Sequence, residues 1–230
     1  MATTATFERL YVWERPVRLY HWVTVAGMVV LVATGLLIGA PLAFASSGDA
    51  SSNSWFGVVR MLHFSAGFIA TFALVIRIYW MFAGNQWARW DNFYPLTPRL
   101  LKKQVSGALK VIEADILQIR VKPYDFVGHN GLAAWSYGAI FLLTIFQIVT
   151  GFGLYAPMST WWFPDLFRWV VPLMGGDATV RMWHHLAMWA FVIFTMIHVY
   201  LLVFHDYTEG HGEISSMVSG ARLVPRDREQ

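Results

Sequence analysis

The 230-residue sequence contains no cysteine. That absence excludes disulfides, thiolate-bound iron–sulfur clusters and covalent haem attachment through Cys-x-x-Cys-His, so any redox group must be held by other side chains. Charge is scarce as well: Asp, Glu, Lys and Arg make up 13% of the chain, about half of the roughly 25% usual for soluble domains. No internal repeat or low-complexity tract stands out, and a single domain over residues 1–230 is expected. Apolar surface is abundant instead, with 57% hydrophobic and 17% aromatic residues. A chain of this composition is solvated mainly by lipid.

The hydrophobic residues gather in four stretches, about 19–40, 56–83, 131–156 and 183–205. Each can supply the roughly 20 helical residues that a hydrocarbon core of about 30 Å demands. The expected fold is therefore an all-α integral membrane protein, a four-transmembrane-helix bundle. Cytoplasmic segments retain Lys and Arg. Here Arg9, Arg15 and Arg18 precede the first stretch; Arg89, Arg99, Lys102, Lys103, Lys110, Arg120 and Lys122 lie between the second and third; Arg222, Arg226 and Arg228 follow the fourth. Segment 41–55 has no basic residue, and 157–182 has only Arg168 and Arg181. Both termini and the 84–130 segment are expected on the cytoplasmic side. The net charge of +3 follows from this bias and points to no nucleic-acid partner. Ala43-Phe44-Ala45 before Ser46 has the small-residue pattern of a signal-peptidase site. The apolar run before it exceeds the 7–15 residues of a signal peptide, so the first span is expected to be retained.

Between the second and third stretches, Leu100, Leu101, Val105, Leu109, Ile112, Ile116 and Ile119 recur at near-helical spacing among basic residues. The pattern predicts a cytoplasmic helix lying in the membrane interface. Trp161 to Met174 is apolar but broken by Pro164, Asp165, Arg168 and Pro172, which predicts an outer-surface loop resting on lipid or on a partner. Gly35 and Gly39 form a small-xxx-small pair; it serves close helix packing or makes room for a flat cofactor.

Polar groups inside spans are costly and usually functional. His184 and His198 are 14 residues apart, which on a helix is roughly 21 Å along the axis and within about 40° around it. One face of the last span thus offers an imidazole in each leaflet. By depth, His63 pairs with His184 on the outer side and His21 with His198 on the inner side. Two imidazoles from facing helices are what six-coordinate haem iron requires. Arg77 repeats the face of His63 at the depth of the inner pair, while Arg60 and Arg181 each lie three residues before an outer histidine; all three are candidate partners for haem propionates. His185 points about 100° away from His184 and is set aside as a ligand. His205 and His211 read as solvated tail residues.

The runs Arg15-Pro16-Val17-Arg18-Leu19-Tyr20-His21-Trp22, Arg60-Met61-Leu62-His63-Phe64, Arg77-Ile78-Tyr79-Trp80 with Gly84-Asn85, Gly128-His129-Asn130, Trp183 to Trp189, Ile197-His198-Val199-Tyr200 and Ser216 to Gly220 resemble the b-type cytochrome subunit of membrane-bound nickel–iron uptake hydrogenases. One departure is Gly131, where that pattern has proline. The resemblance implies two non-covalent haem b groups held by His21, His63, His184 and His198. It also implies a small iron–sulfur and a large nickel–iron partner on the periplasmic side, quinone as electron acceptor, and the bacterial cytoplasmic membrane as location. The chain is then an electron-transfer subunit with no hydrogen-activating centre of its own, and His129 and Asn130 are candidate donors to a quinone carbonyl. The cytochrome subunit of formate dehydrogenase shares the four-helix plan and is an alternative. A di-iron desaturase would gather its histidines on one side, and a histidine-lined transporter would need a polar path; the sequence shows neither pattern.

Overall fold

The computed structural model describes residues 7–40, 54–90, 93–94, 97–113, 131–209 and 212–225. In chain order the elements are β1 (Phe7–Tyr11), α1 (Arg15–Gly39), α2 (Trp55–Ala83), α3 (Pro98–Val111), α4 (Gly131–Tyr155), α5 (Trp162–Asp165), α6 (Val170–Leu173), α7 (Asp177–Glu209), α8 (Glu213–Ser219) and β2 (Ala221–Pro225). Four of them, α1, α2, α4 and α7, are long and apolar enough to cross a membrane. With no water in the hydrocarbon core, every backbone N–H and C=O must bond within its own segment, so these valine- and isoleucine-rich runs close as helices. Phe72, Val75, Tyr79 and Phe82 on α2 and Ile193, Met196, Tyr200 and Val203 on α7 are exposed, which is the surface a lipid solvent accommodates.

The helix limits follow from local chemistry. α1 begins at Arg15, earlier than the expected 19, with Pro16 in its first turn where a missing N–H costs nothing. α7 begins at Asp177 rather than 183: Gly175 and Gly176 adopt positive φ (88° and 110°), and the Asp177 carboxylate sits at the positive end of the helix dipole. α7 also runs far enough to contain His205, which is half-buried inside the helix and not part of a solvated tail.

The chain forms two compact units, one of Met1–Leu19, Arg77–Phe141 and Phe194–Gln230, the other of Tyr20–Ile76 and Leu142–Ile193. In the first, β1 and β2 pair antiparallel, from Phe7 opposite Pro225 to Tyr11 opposite Ala221. The basic residue Arg222, read above only as a topology signal, is buried and paired with Glu213. The Ser216 to Gly220 run anchors the N-terminal segment. Val12 and Trp13 donate their N–H groups to the Gly220 carbonyl at 2.8 and 3.0 Å, and Trp13 Nε1 donates to Ser216 Oγ at 3.2 Å. Arg18 donates to the Val218 carbonyl.

The Gly84-Asn85 turn is tied to the same segment. Glu14 Oε2 accepts from Trp80 Nε1 and from the Asn85 N–H, both at 2.8 Å, and Asn85 Nδ2 donates to the Val12 carbonyl at 2.9 Å. A Cβ at position 84 would sit 2.6 Å from the Trp80 carbonyl oxygen and 2.8 Å from Trp80 Cδ1. Because one of those atoms is backbone, Gly84→Ala is expected to destabilise the protein by about 1–3 kcal/mol, read as a lower thermal unfolding midpoint in detergent. An unchanged midpoint would show that the turn can relax.

α3 is the helix expected between the second and third spans. Thr97 caps it by accepting from the Leu100 N–H at 3.3 Å, with Pro98 in the first turn. Gly131, the departure from the resembled pattern, has a spatial reason. A Cβ there would strike the Gln104 carbonyl oxygen and approach the Ala108 nitrogen to 2.7 Å, so glycine lets the start of α4 lie directly on the α3 backbone.

Candidate functional site

The second unit contains an apolar cavity of about 440 Å³ lined by α1, α2, α4 and α7. Its size falls within the roughly 300–1,000 Å³ of ligand pockets. His63, His184 and His185 line it, together with Arg60, Arg181, Gln147 and a wall of Leu, Ile, Phe and Met. The expected outer pair, His63 and His184, is thus brought to one cavity from two different helices.

Each of these two imidazoles is tied to a threonine on a neighbouring helix. His63 Nδ1 lies 2.9 Å from Thr34 Oγ1 on α1, and His184 Nδ1 lies 2.8 Å from Thr150 Oγ1 on α4. α4 and α7 are joined once more by Gln147 Nε2, which donates to the His184 carbonyl at 3.0 Å. His185 is held differently: its Nδ1 hydrogen-bonds the Arg181 carbonyl of its own helix at 3.1 Å. Beside the cavity, α4 is pressed against α6, since a Cβ at Gly153 would meet Val170 Cβ at 2.8 Å. Phe152 contacts Phe68, Phe163 and Phe167 with ring centroids 4.9, 5.1 and 5.4 Å apart. The interrupted segment after α4 therefore folds Phe163 and Phe167 onto the spans, while Trp162, Leu166, Trp169 and Leu173 stay exposed.

The arginines differ in their engagements. Arg60 Nη2 donates to Met158 Sδ at 2.7 Å, and the guanidinium lies 5.7 Å from the Phe64 ring centroid. Arg181 is exposed and paired with Asp177 at 2.6 Å. Arg77, in the first unit, is only 2% exposed. Nη1 and Nη2 both donate to the Ala88 carbonyl at 3.2 Å, and the guanidinium lies 5.6 Å from the Phe93 ring and 5.3 Å from the Tyr137 ring. Burial raises the pKa of nearby Tyr94, and the positive charge of Arg77 offsets part of that rise.

His21 and His198, the expected inner pair, fall in different units. The His21 ring stands edge-on to Trp22 at 5.1 Å, and the His198 ring stacks on Phe194 at 5.6 Å. His129 and Asn130 lie outside the described residues, as do His211 and the Ala43 to Ser46 run. The sequence reading missed Thr34 and Thr150. The signal for them is a Thr-Gly step inside two apolar spans, Thr34-Gly35 and Thr150-Gly151.

Four helices long and apolar enough to span, around a cavity that imidazoles from two of them line, define a multi-pass membrane protein with histidines at an internal cavity. The model of the prokaryotic cytochrome b561 family matches residues 12–220, and the chain belongs to that family. Similar proteins include the probable Ni/Fe-hydrogenase B-type cytochrome subunit of Azotobacter vinelandii, 39% identical over 222 residues, with 95% of this chain and 90% of that one covered. The protein of the same name from Cupriavidus necator is 38% identical over 226 residues, covering 96% and 90%. The probable Ni/Fe-hydrogenase 1 B-type cytochrome subunit of Escherichia coli K12 is 38% identical over 216 residues, covering 92% and 90%.

A b-type cytochrome carries haem b, and the cavity residues fit that group. Two imidazoles are available, each with Nδ1 already engaged, which leaves Nε2 as the nitrogen able to ligate iron. The lining is mostly apolar, with Thr24, Arg60, Thr144, Gln147, Tyr155, Arg181 and the histidines as its polar members. At Gly67 a Cβ would meet nothing within 4 Å, so α2 presents open space to the cavity there.

Proposed function

We propose that this chain is the membrane-anchoring di-haem b subunit of a nickel–iron uptake hydrogenase. It acts as one membrane domain in the bacterial cytoplasmic membrane, with both termini in the cytoplasm. Electrons from a periplasmic iron–sulfur subunit, itself fed by a nickel–iron subunit, pass through outer and inner haems to quinone. The observation that carries this reading is the cavity lined by His63 and His184, which come from different helices and have their Nδ1 atoms engaged by threonine. The names of the relatives support the choice of partner.

Haem, when bound, supplies reversible one-electron chemistry at iron, and the protein supplies ligands, orientation and dielectric. His63 and His184 would hold the outer group, and His21 and His198 would hold the inner one. Arg60 and Arg181 border the cavity and offer positive charge to the outer propionates. A guanidinium has five N–H donors; Arg77 gives two to the Ala88 carbonyl and is the candidate partner of an inner propionate. His129 and Asn130, by their place in the sequence ahead of the third span, are the candidate donors to a quinone carbonyl.

The test is purification of the full-length chain in mild detergent from haem-replete cells. The expected result is a b-type reduced-minus-oxidised spectrum, with iron–sulfur and nickel–iron subunits bound. No b-type signal would reject the cofactor assignment. Co-purification of a formate dehydrogenase in place of a hydrogenase would overturn the partner and leave the haem reading standing.

A further inference from the structure

The threonines that hold the cavity histidines are each followed by a glycine, and both steps are built alike. Thr34 Oγ1 donates its single hydrogen to the carbonyl four residues back, Val30 O at 2.6 Å, with Leu31 O farther away at 3.4 Å. Thr150 Oγ1 does the same with Phe146 O at 2.7 Å and Gln147 O at 3.3 Å. A hydroxyl has one hydrogen to give. With that hydrogen committed to the backbone, the oxygen can only accept from the imidazole, so Nδ1 of each histidine carries the proton and Nε2 keeps its lone pair. Both threonines are buried, 6% and 1% exposed, which keeps water from competing for Nδ1.

The glycines complete the arrangement. A Cβ at Gly35 would lie 3.3 Å from His63 Cε1, and one at Gly151 would lie 3.3 Å from His184 Cε1. Cε1 sits between the two ring nitrogens, so a side chain there would displace the threonine bond and Nε2 together. His185 lines the same cavity without this device. Its proton goes to a carbonyl of its own helix, and its Nε2 lies 2.9 Å from where a Cβ of Gly39 would be, packed against the α1 backbone.

We propose that Thr34-Gly35 and Thr150-Gly151 are paired positioning elements for His63 and His184, the two residues that would hold the outer haem. Each threonine fixes the tautomer of its histidine, and each glycine makes the space in which the ring takes its plane. The repetition on α1 and α4 gives both histidines a threonine partner from a neighbouring helix, to which His63 adds a bond with the Leu31 backbone, whereas His185 bonds a carbonyl of its own helix. This inference rests on the haem reading above.

The test uses the full-length protein purified in detergent, with its fold checked by helical circular dichroism and gel filtration. Haem loss is followed by transfer to apomyoglobin, and the ligand field by the low-spin electron paramagnetic resonance signal. Thr34→Val and Thr150→Val keep the shape and remove the acceptor. Loss of such an outer partner typically weakens metal-site binding about 10–100-fold, so haem loss is expected to accelerate by a similar factor, with a shifted low-spin signal and a raised midpoint potential. Thr34→Ser and Thr150→Ser keep the hydroxyl and should behave like wild type. Gly35→Ala and Gly151→Ala should shift the signal through ring displacement.

If wild-type protein holds no haem, the underlying function fails and not this inference alone. If wild type holds haem but the valine variants release it no faster and show the same signal, the threonine role is overturned. Serine variants that behave like valine variants would overturn it too. Unchanged signals in both alanine variants would overturn the glycine role. Should a valine variant fail to accumulate, Ser against Ala at the same threonine carries the comparison, with equal haem-loss rates counting against the proposal.

Discussion

Full-length protein carrying His184→Ala is expected to lose one low-spin b-type haem signal entirely, and the assembled complex to lose hydrogen-dependent quinone reduction to background. The cavity gives iron few substitutes. Met28, Met158 and Met188 line it, but their thioethers are softer ligands than imidazole, and His185 Nε2 is packed against the α1 backbone at Gly39. Removing a direct ligand should exceed the roughly 10–100-fold loss typical of an outer partner. A group bound at a thousandfold its dissociation constant contributes about 4 kcal/mol to stability, so the variant should also unfold at lower temperature. His63→Ala should remove the same spectral species, because both residues line one cavity. The double variant should then lose no more haem than either single one, the non-additivity expected of two groups acting on one site. His185→Ala should retain the low-spin signal. Two different species lost from His63→Ala and His184→Ala would break the pairing, and loss with His185→Ala alone would move the ligand by one residue.

The other large effect concerns Arg77→Met. A cation only 2% exposed is costly to bury, and among the described residues its partners include the Ala88 carbonyl and the rings of Phe93 and Tyr137. Hydrogen bonds from charged groups contribute about 1.5–3 kcal/mol, and desolvated cation–π contacts about 2 kcal/mol. Set against the recovered desolvation, the net loss should be on the order of 3 kcal/mol, or roughly 6–12 °C in the midpoint for a chain of this size. Arg77→Lys restores charge without the planar fork and should recover part of it. A methionine variant as stable as wild type would mean that the guanidinium is only tolerated there, and that its reason lies in a bound anion.

Much of the architecture was legible in order along the chain, because a bilayer imposes one rule on every span. Length and polarity located α1, α2, α4 and α7, and the near-helical spacing of Leu100, Leu101, Val105 and Leu109 located α3. The ends were less legible, since they depend on backbone chemistry that hydropathy ignores: Pro16 admits an earlier start to α1, and Gly175 and Gly176 turn the chain so that α7 starts at Asp177. Depth arithmetic assigned His63 and His184 equal depths on antiparallel spans, and both line one cavity.

Contacts between residues far apart in sequence were not legible. β1 and β2 come from opposite ends of the chain, are short, and draw their register from each other; neither alone has a signal that competes with the expectation of charged arms. Arg77 looked like a residue waiting for an anion, and its clamp on Ala88, Phe93 and Tyr137 exists only once the turn after α2 has folded back. Thr34 and Thr150 looked like ordinary threonines bonding back along their own helices, which they also do. The sequence by itself determined a four-span helical membrane protein of the cytochrome b561 family with histidines at matching depths, because solvent and helix geometry act on each segment separately. Only the tertiary structure decided which nitrogen of His63 and His184 is engaged, because a tautomer is set by a neighbour's lone pair, and that neighbour belongs to another helix.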